Sequence, residues 1–408
     1  MTETTAEART GRVEFTGGRQ EMLGIILRGY ALMIPTIGLY RFWQATWKRR
    51  FYWQNTVIDG EPIEYTGTAG QLLLGFFFAL AFFLPIYITF FVLSMQGVDY
   101  VLIGYAVIVA VVWFLMGYAI YRARDFRLSR TLWRGIRFDL RGHALAYALR
   151  RFLWSIANVL TLGLIYPWMG SSLWRYRWNN TWYGDRKFEM GGNWRTIAGP
   201  YYSAYLLNVL AIGGTLLWIG TTKDLMAFEQ IVVPGPIGLG FCAACVLVFA
   251  FTLAFYRTRV ASRMLSTLSV GEAKISVKIG TGALFGLFLI YVVAVVALLI
   301  VLALTALIAL GGIFAAAAAG GQAPDAETVA SLFESGTTNV ALLIAIYLVV
   351  LGAFGMLAEL ILSLGWWKLL AKGTTITNPD SLRTVQSTAE DRALIGQGLA
   401  DALNVGAY

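Results

Sequence analysis

Thr36-Ile-Gly-Leu-Tyr-Arg-Phe-Trp43 runs on through Arg50-Phe-Tyr-Trp-Gln-Asn-Thr56 to Asp59-Gly60, Glu64 and Gly67. The stretch returns as Thr161-Leu-Gly-Leu-Ile-Tyr-Pro-Trp168, then Arg175-Tyr-Arg-Trp-Asn-Asn-Thr181, Gly184-Asp185, Glu189 and Gly192. A constant offset of 125 residues lays Thr36, Gly38, Leu39, Trp43, Arg50, Trp53, Asn55, Thr56, Glu64 and Gly67 on identical residues. A gap-free offset over about thirty residues points to an internal duplication, which has to be recognised before the fold is read.

Working outward, the rest of the chain is apolar. Its 408 residues are 58% apolar and 13% charged, against about 45–50% and about 25% in soluble domains, so composition alone indicates a membrane protein. Six runs reach the roughly 20 residues a membrane helix needs: Leu72–Met95, Val98–Tyr121, Pro200–Thr221, Ile231–Tyr256, Leu284–Phe314 and Val340–Leu370. Two weaker segments, Met22–Tyr40 with Arg28 and Ala144–Met169 with Arg150 and Arg151, lead into the two copies. Met1 to Gln20 has no apolar h-region, so a cleavable signal peptide is not expected.

Charge orients the spans. Fourteen lysines and arginines fall in 122–199 and eight in 1–71, whereas Gln96–Gly97 has none, Lys223 is alone in its loop, and Gly320–Asn339 holds only the acids Asp325, Glu327 and Glu334. Basic residues stay on the cytoplasmic side. The expected topology is therefore three two-helix hairpins with both termini and every basic segment cytoplasmic. Segments 22–40 and 144–169 then dip in and return, or lie along the interface, because a full crossing would split the fourteen basic residues between two faces.

After each weak segment comes a basic aromatic stretch: Trp43, Trp47, Lys48, Arg49, Arg50 and Trp53, then Trp168, Trp174, Arg175, Arg177 and Trp178. Indoles favour the headgroup level, so these residues are candidates for the lipid interface. Strand signals follow. Phe51–Ile58, the turn Asp59-Gly60 and Glu61–Tyr65 read as a hairpin, and Arg177–Tyr183, Gly184-Asp185 and Arg186–Met190 repeat it. Fainter copies lie around Thr131 to Phe138 and Thr267 to Gly271. The fold class expected is an all-α polytopic membrane protein with small cytoplasmic β-hairpins, an internal duplication and a third helical hairpin. Its parts are a tail 1–11, repeats 12–138 and 139–278, a third transmembrane hairpin 279–372 and a cytoplasmic tail 373–408.

These residues carry a family resemblance. Phe15-x-Gly17, Thr36-Ile-Gly-Leu-Tyr-x-x-Trp43, Asn55-Thr56-x-x-Asp59-Gly60, Thr161-Leu-Gly-Leu-x-x-Pro-Trp168, Asn180-Thr181 and Thr131-x-x-x-Gly135-x-Arg137-Phe138 resemble the YjgN-like family of bacterial inner-membrane proteins, a domain of unknown function. The resemblance covers most of 12–372 and implies location and architecture, but neither substrate nor catalytic residues. The third hairpin, with Ala315–Ala319, departs from it.

Few residues suggest chemistry. Cys242-Ala-Ala-Cys245 has redox spacing but lies within an apolar run, where small packing residues are expected. His143 is the only histidine, too few for a multi-histidine metal site. No nucleotide, nucleophile-elbow or zinc-protease motif is present. Neither enzyme activity nor any cofactor, metal or nucleic acid is expected, and the partners expected are membrane lipids. The polar residues inside membrane segments are Arg28, Arg150, Arg151, Asn158, Asn208 and Glu359, which are costly at depth and face a partner or a cavity. Two function classes follow. One is a transporter or channel for an unidentified small molecule, with these residues lining a shared path. The other is a non-transporting envelope protein that binds lipid headgroups or a protein partner through its basic aromatic face. Convergence of the polar residues on one cavity, or their separate neutralisation, distinguishes the two.

Overall fold

Four two-residue turns set the architecture. The computed structural model describes residues 9–95, 98–222, 225–228, 231–319 and 337–387. In it each turn joins a three-residue strand to a five-residue strand: β2 (Thr56–Ile58) to β3 (Glu61–Tyr65), β4 (Thr131–Trp133) to β5 (Ile136–Leu140), β6 (Thr181–Tyr183) to β7 (Arg186–Met190), and β10 (Leu268–Val270) to β11 (Ala273–Val277). Asp59-Gly60 (φ 51° and 86°) and Arg134-Gly135 (53° and 73°) are left-handed at both positions, as a type I′ turn requires. In the other two the glycine comes first, and only Gly184 (55°) and Gly271 (56°) are left-handed, the type II′ pattern.

These hairpins do not stand apart. Each edge strand pairs antiparallel with the next hairpin, and the ring closes through β1 (Thr10–Phe15) and β12 (Thr374–Thr377), drawn from distant parts of the chain. The result is a closed ten-stranded antiparallel barrel whose strands follow one another around the ring in chain order. The expectation of an all-α fold with small separate hairpins is thus corrected. An isolated hairpin leaves unpaired N–H and C=O groups along both edges, and closure removes every edge. The segment 373–408, read as a tail, contains β12 and a 3₁₀ turn, Pro379–Thr384. The strands read at Phe51–Ile58 and Arg177–Tyr183 shorten to Thr56–Ile58 and Thr181–Tyr183, because the preceding helices run to Gln54 and Asn179. Each opening threonine returns its hydroxyl to the helix it leaves: Thr56 Oγ1 donates to the Tyr52 carbonyl (2.6 Å) and Thr181 Oγ1 to that of Arg177 (2.8 Å). Thr131 and Thr374 do the same.

Five strand pairs share one register. Phe15 faces Thr56, Tyr65 faces Thr131, Leu140 faces Thr181, Met190 faces Leu268 and Val277 faces Thr374. Two residues further from that end, Val13, Ile58, Ile63, Trp133, Phe138, Tyr183, Phe188, Val270, Ile275 and Ile376 meet in one apolar cluster. These ten inward positions fill the barrel, with Phe138 4.8 Å from Tyr183 and Trp133 5.4 Å from it between ring centroids. Leu382 and Val385 join the cluster from the turn end. There the Asp185 N–H donates to the Gln386 carbonyl, and the Gln386 N–H to Asp185 Oδ1 (both 3.1 Å).

At the opposite end the chain leaves the barrel as helical hairpins and comes back to the neighbouring strand. These are α1 (Arg19–Met33) with α2 (Arg41–Gln54), α3 (Ala69–Ser94) with α4 (Val98–Ser129), α5 (Ala144–Leu160) with α6 (Tyr166–Asn179), and α7 (Trp194–Thr222) with α8 (Pro236–Leu265). Between β11 and β12 come α9 (Thr281–Ala319), α10 (Thr337–Leu357), a π-helical turn Ala358–Ser363 and α11 (Leu364–Gly373). Residues 282–367 form a compact unit of their own, and the rest of the chain forms the other. Among the described residues six helices are long and apolar enough to cross a membrane. The fourth begins at Pro236 rather than Ile231, because 225–228 and 231–234 pair as a ribbon, β8 and β9. Lys223, the acidic loop with Asp325, Glu327 and Glu334, and the chain beyond Ser387 lie outside the described residues.

Two hairpins are short. At 1.5 Å per residue, α1 and α2 are about 21–22 Å long and α5 about 26 Å, against the roughly 30 Å of a hydrocarbon core. Both turn on the Thr-x-Gly-Leu motif. Ile37 and Gly38, like Leu162 and Gly163, are left-handed. Thr36 Oγ1 donates to the Leu32 carbonyl and accepts from the Tyr40 N–H, and Thr161 Oγ1 bonds the Ala157 carbonyl and the Ile165 N–H in the same way. The tips expose Ile34 (81%), Ile37 (93%), Leu160 (79%) and Leu162 (81%).

Candidate functional site

Within the unit that carries the barrel, the polar residues of the helices have separate contacts. On α7, Asn208 donates to Thr252 Oγ1 of α8 and to the Ala204 carbonyl (both 2.8 Å). Arg150 lies over the Tyr176 ring at 4.8 Å, and Arg151 points to Met116 Sδ at 3.8 Å. Arg28 is exposed on α1. Asn158 Oδ1 and Arg151 Nε are buried without a hydrogen-bond partner. Glu359 is buried in the π-helical turn. Thus α5 and α7 present their polar groups to different neighbours, Arg150 to Tyr176, Arg151 to Met116 and Asn208 to Thr252. Cys245 Sγ sits 3.0 Å from Thr215 Oγ1 and 3.2 Å from the Ala211 carbonyl, a packing contact between α7 and α8.

The aromatic and basic residues divide into two sets. Arg49 is buried and donates to Tyr65 Oη (3.1 Å), and Trp53 Nε1 donates to Thr131 Oγ1 (2.8 Å), so both turn toward the barrel. Trp174 and Trp178 pack against the barrel cluster. Trp178 also carries Arg124 over its face at 4.4 Å. Arg177 Nε donates to the Leu173 carbonyl. The outward set is Trp43 (39% exposed) and Trp47 (45%), Arg50 over the Trp47 ring at 5.5 Å, half-buried Lys48, and exposed Arg175.

Two open grooves carry arginine. One, of about 500 Å³, runs along α5 past Leu149, Arg150, Leu153 and Trp154. The other, of about 260 Å³, lies where α2 meets the start of α3, between Trp43, Trp47, Arg50, Thr68, Ala69 and Gly70. This second groove is open and walled by two indoles and one guanidinium.

One feature escaped the sequence. On α7 the hydroxyls of Tyr201, Tyr202 and Tyr205 donate to the carbonyls of Gly163, Leu164 and Leu162 (2.8, 2.7 and 2.9 Å), capping the tip of the α5–α6 hairpin. Irregular backbone at membrane depth is tolerated where protein satisfies it. The positions 125 residues earlier are Phe76, Phe77 and Leu80. The signal was available as Tyr-Tyr-x-x-Tyr, one helical face of a span.

A family model described as a bacterial protein of unknown function (DUF898) matches residues 10–297, from β1 through β11 into α9 and short of β12. No curated protein and no solved structure matches the chain.

Proposed function

Because the chain belongs to the DUF898 family of bacterial proteins, the YjgN-like family it resembles, and carries six helices able to cross a membrane, we propose that it is a non-transporting multi-pass protein of the inner membrane that engages phospholipid headgroups on the leaflet nearest its barrel. The barrel and both termini lie on the cytoplasmic side in this reading, as the basic residues around the barrel-proximal helix ends indicate. The α1–α2 and α5–α6 hairpins enter that leaflet and return. Their exposed apolar tips and the tyrosine cap on the second support this placement. The shared strand register supports a duplication of 12–138 into 139–278.

The single observation that carries the reading is the filled barrel. Ten apolar side chains occupy its interior and Leu382 and Val385 close the turn end, so the axis offers no polar path. Arg150, Arg151 and Asn208 have separate contacts on α6, α4 and α8, which also supports the reading.

The test is reconstitution. Spin labels at Ile37 and Leu162, in a Cys242→Ser, Cys245→Ser background, are expected to be relaxed by oxygen and shielded from a water-soluble nickel chelate. The reconstituted protein is expected to add no conductance to a planar bilayer. Nickel-accessible tips, or a conductance that responds to Phe188→Ala, would sink the reading.

A further inference from the structure

The two repeated stretches differ at one place in a way that leaves one of them open. In the second, Trp194 stacks on Trp168 with ring centroids 4.4 Å apart, and the Asn193 side chain accepts the N–H groups of Arg195 and Thr196. The positions 125 residues earlier are Ala69 and Thr68. The indole that lies on Trp168 therefore has no counterpart on Trp43, and the groove of about 260 Å³ lies there instead. Position 47, a serine at 172 in the second stretch, is a tryptophan in the first and adds a second indole wall.

The groove also holds an uncompensated cation. Arg50 lies over Trp47 at 5.5 Å and reaches the Gly67 carbonyl at 3.4 Å, and among the described residues it makes no ion pair with a carboxylate. A half-buried guanidinium with two exposed indoles attracts a group that is anionic and partly apolar. We propose that this groove is a specific site for one anionic phospholipid, with its phosphate on Arg50 and its glycerol and first methylenes against Trp43 and Trp47. The matching surface of the second stretch is closed by Trp194. The proposal rests on the lipid-engaging reading above and deepens it, assigning headgroup selection to the first stretch alone.

The experiment is native mass spectrometry of the whole protein in a non-lipid detergent, titrated with dioctanoyl phosphatidylglycerol, with dioctanoyl phosphatidylcholine and inorganic phosphate as separate arms. The expected result is one saturable phosphatidylglycerol. Arg50→Gln should weaken it about tenfold or more, the effect of losing one charge-assisted contact, and Trp47→Ser should weaken it by removing the indole wall on which Arg50 lies. Arg175→Gln, at the position matching Arg50, should leave it unchanged. Thermal unfolding of each variant separates lost binding from lost folding, and Arg50→Lys should recover part of the affinity. Equal affinity in wild type and Arg50→Gln, an equal loss in Arg175→Gln, or displacement by phosphate alone would overturn the site while leaving lipid engagement standing. No phosphatidylglycerol on the wild-type protein would overturn both.

Discussion

Closure of the barrel rests on β1 and β12, which no turn connects, and it can be locked covalently. Arg12 and Thr375 are directly paired, and both alternate with inward-facing neighbours, Val13 and Ile376. Directly opposed residues in an antiparallel pair have Cα atoms about 4.5–5.5 Å apart, inside the window a disulfide accepts. Cysteines at both positions, in the Cys242→Ser, Cys245→Ser background, should therefore oxidise to a disulfide closing a loop of about 360 residues. In the chain-entropy treatment such a loop is stabilised by about 6 kcal/mol, an upper value. The assay is migration on a non-reducing denaturing gel, where so large a loop compacts the chain, followed by thermal unfolding in detergent with and without reductant. The control pairs Arg12→Cys with Ser276→Cys. Ser276 faces Thr375 from the other side, so its Cα is two strand spacings from Arg12, about 9.5 Å and beyond reach. Failure of the Arg12–Thr375 pair to link while both thiols react freely, or equal linking of the control, would show that the strands do not close and would refute the barrel.

Four further outcomes follow. Phe188→Ala removes a buried ring from the barrel interior and should cost about 3–5 kcal/mol, read as a lower unfolding midpoint in detergent. Gly184→Val forces a β-branched residue into left-handed backbone and drives its Cβ into the Gln386 carbonyl. The destabilisation should exceed the roughly 1 kcal/mol of a helical glycine effect, and protease cleavage near 386 should accelerate. Asp59→Asn keeps a residue that tolerates the αL turn, yet it removes the carboxylate held by Arg134 (3.3 Å) and Arg9 (3.0 Å). The loss should be about 1–3 kcal/mol and should shrink in high salt, which thermal melts at two ionic strengths will read. Burial pushes the Tyr183 phenol up from its usual value, with Arg134 opposing. Its neutral form is then favoured in the folded state, so this stability is fully present below about pH 10, the unfolded value, and is lost as pH rises above it. Tyr183→Phe should flatten the alkaline limb of a pH–stability curve, and an unchanged limb would exclude Tyr183 as its source.

The sequence by itself determined what local physics determines. Six apolar runs demand helices because unpaired backbone cannot sit in hydrocarbon, and they stand near their expected positions. Asp59-Gly60 and Gly184-Asp185 dictated turns, since left-handed backbone favours glycine and aspartate. The closed ring was not legible. Val13 and Ile376 are ordinary β-branched residues in short polar surroundings, and nothing in either stretch tells the other that it is a partner. Pairing over some 360 residues is decided only when both arrive at the same open sheet edge. The site divides along the same line. The indoles and arginines of the two stretches look alike in sequence, and only packing turned Arg49, Trp53, Trp174 and Trp178 toward the barrel. Packing also set Trp194 on Trp168 while Ala69 left the groove beside Trp43, Trp47 and Arg50 open, because which face a side chain presents depends on the helix it meets, not on its own type.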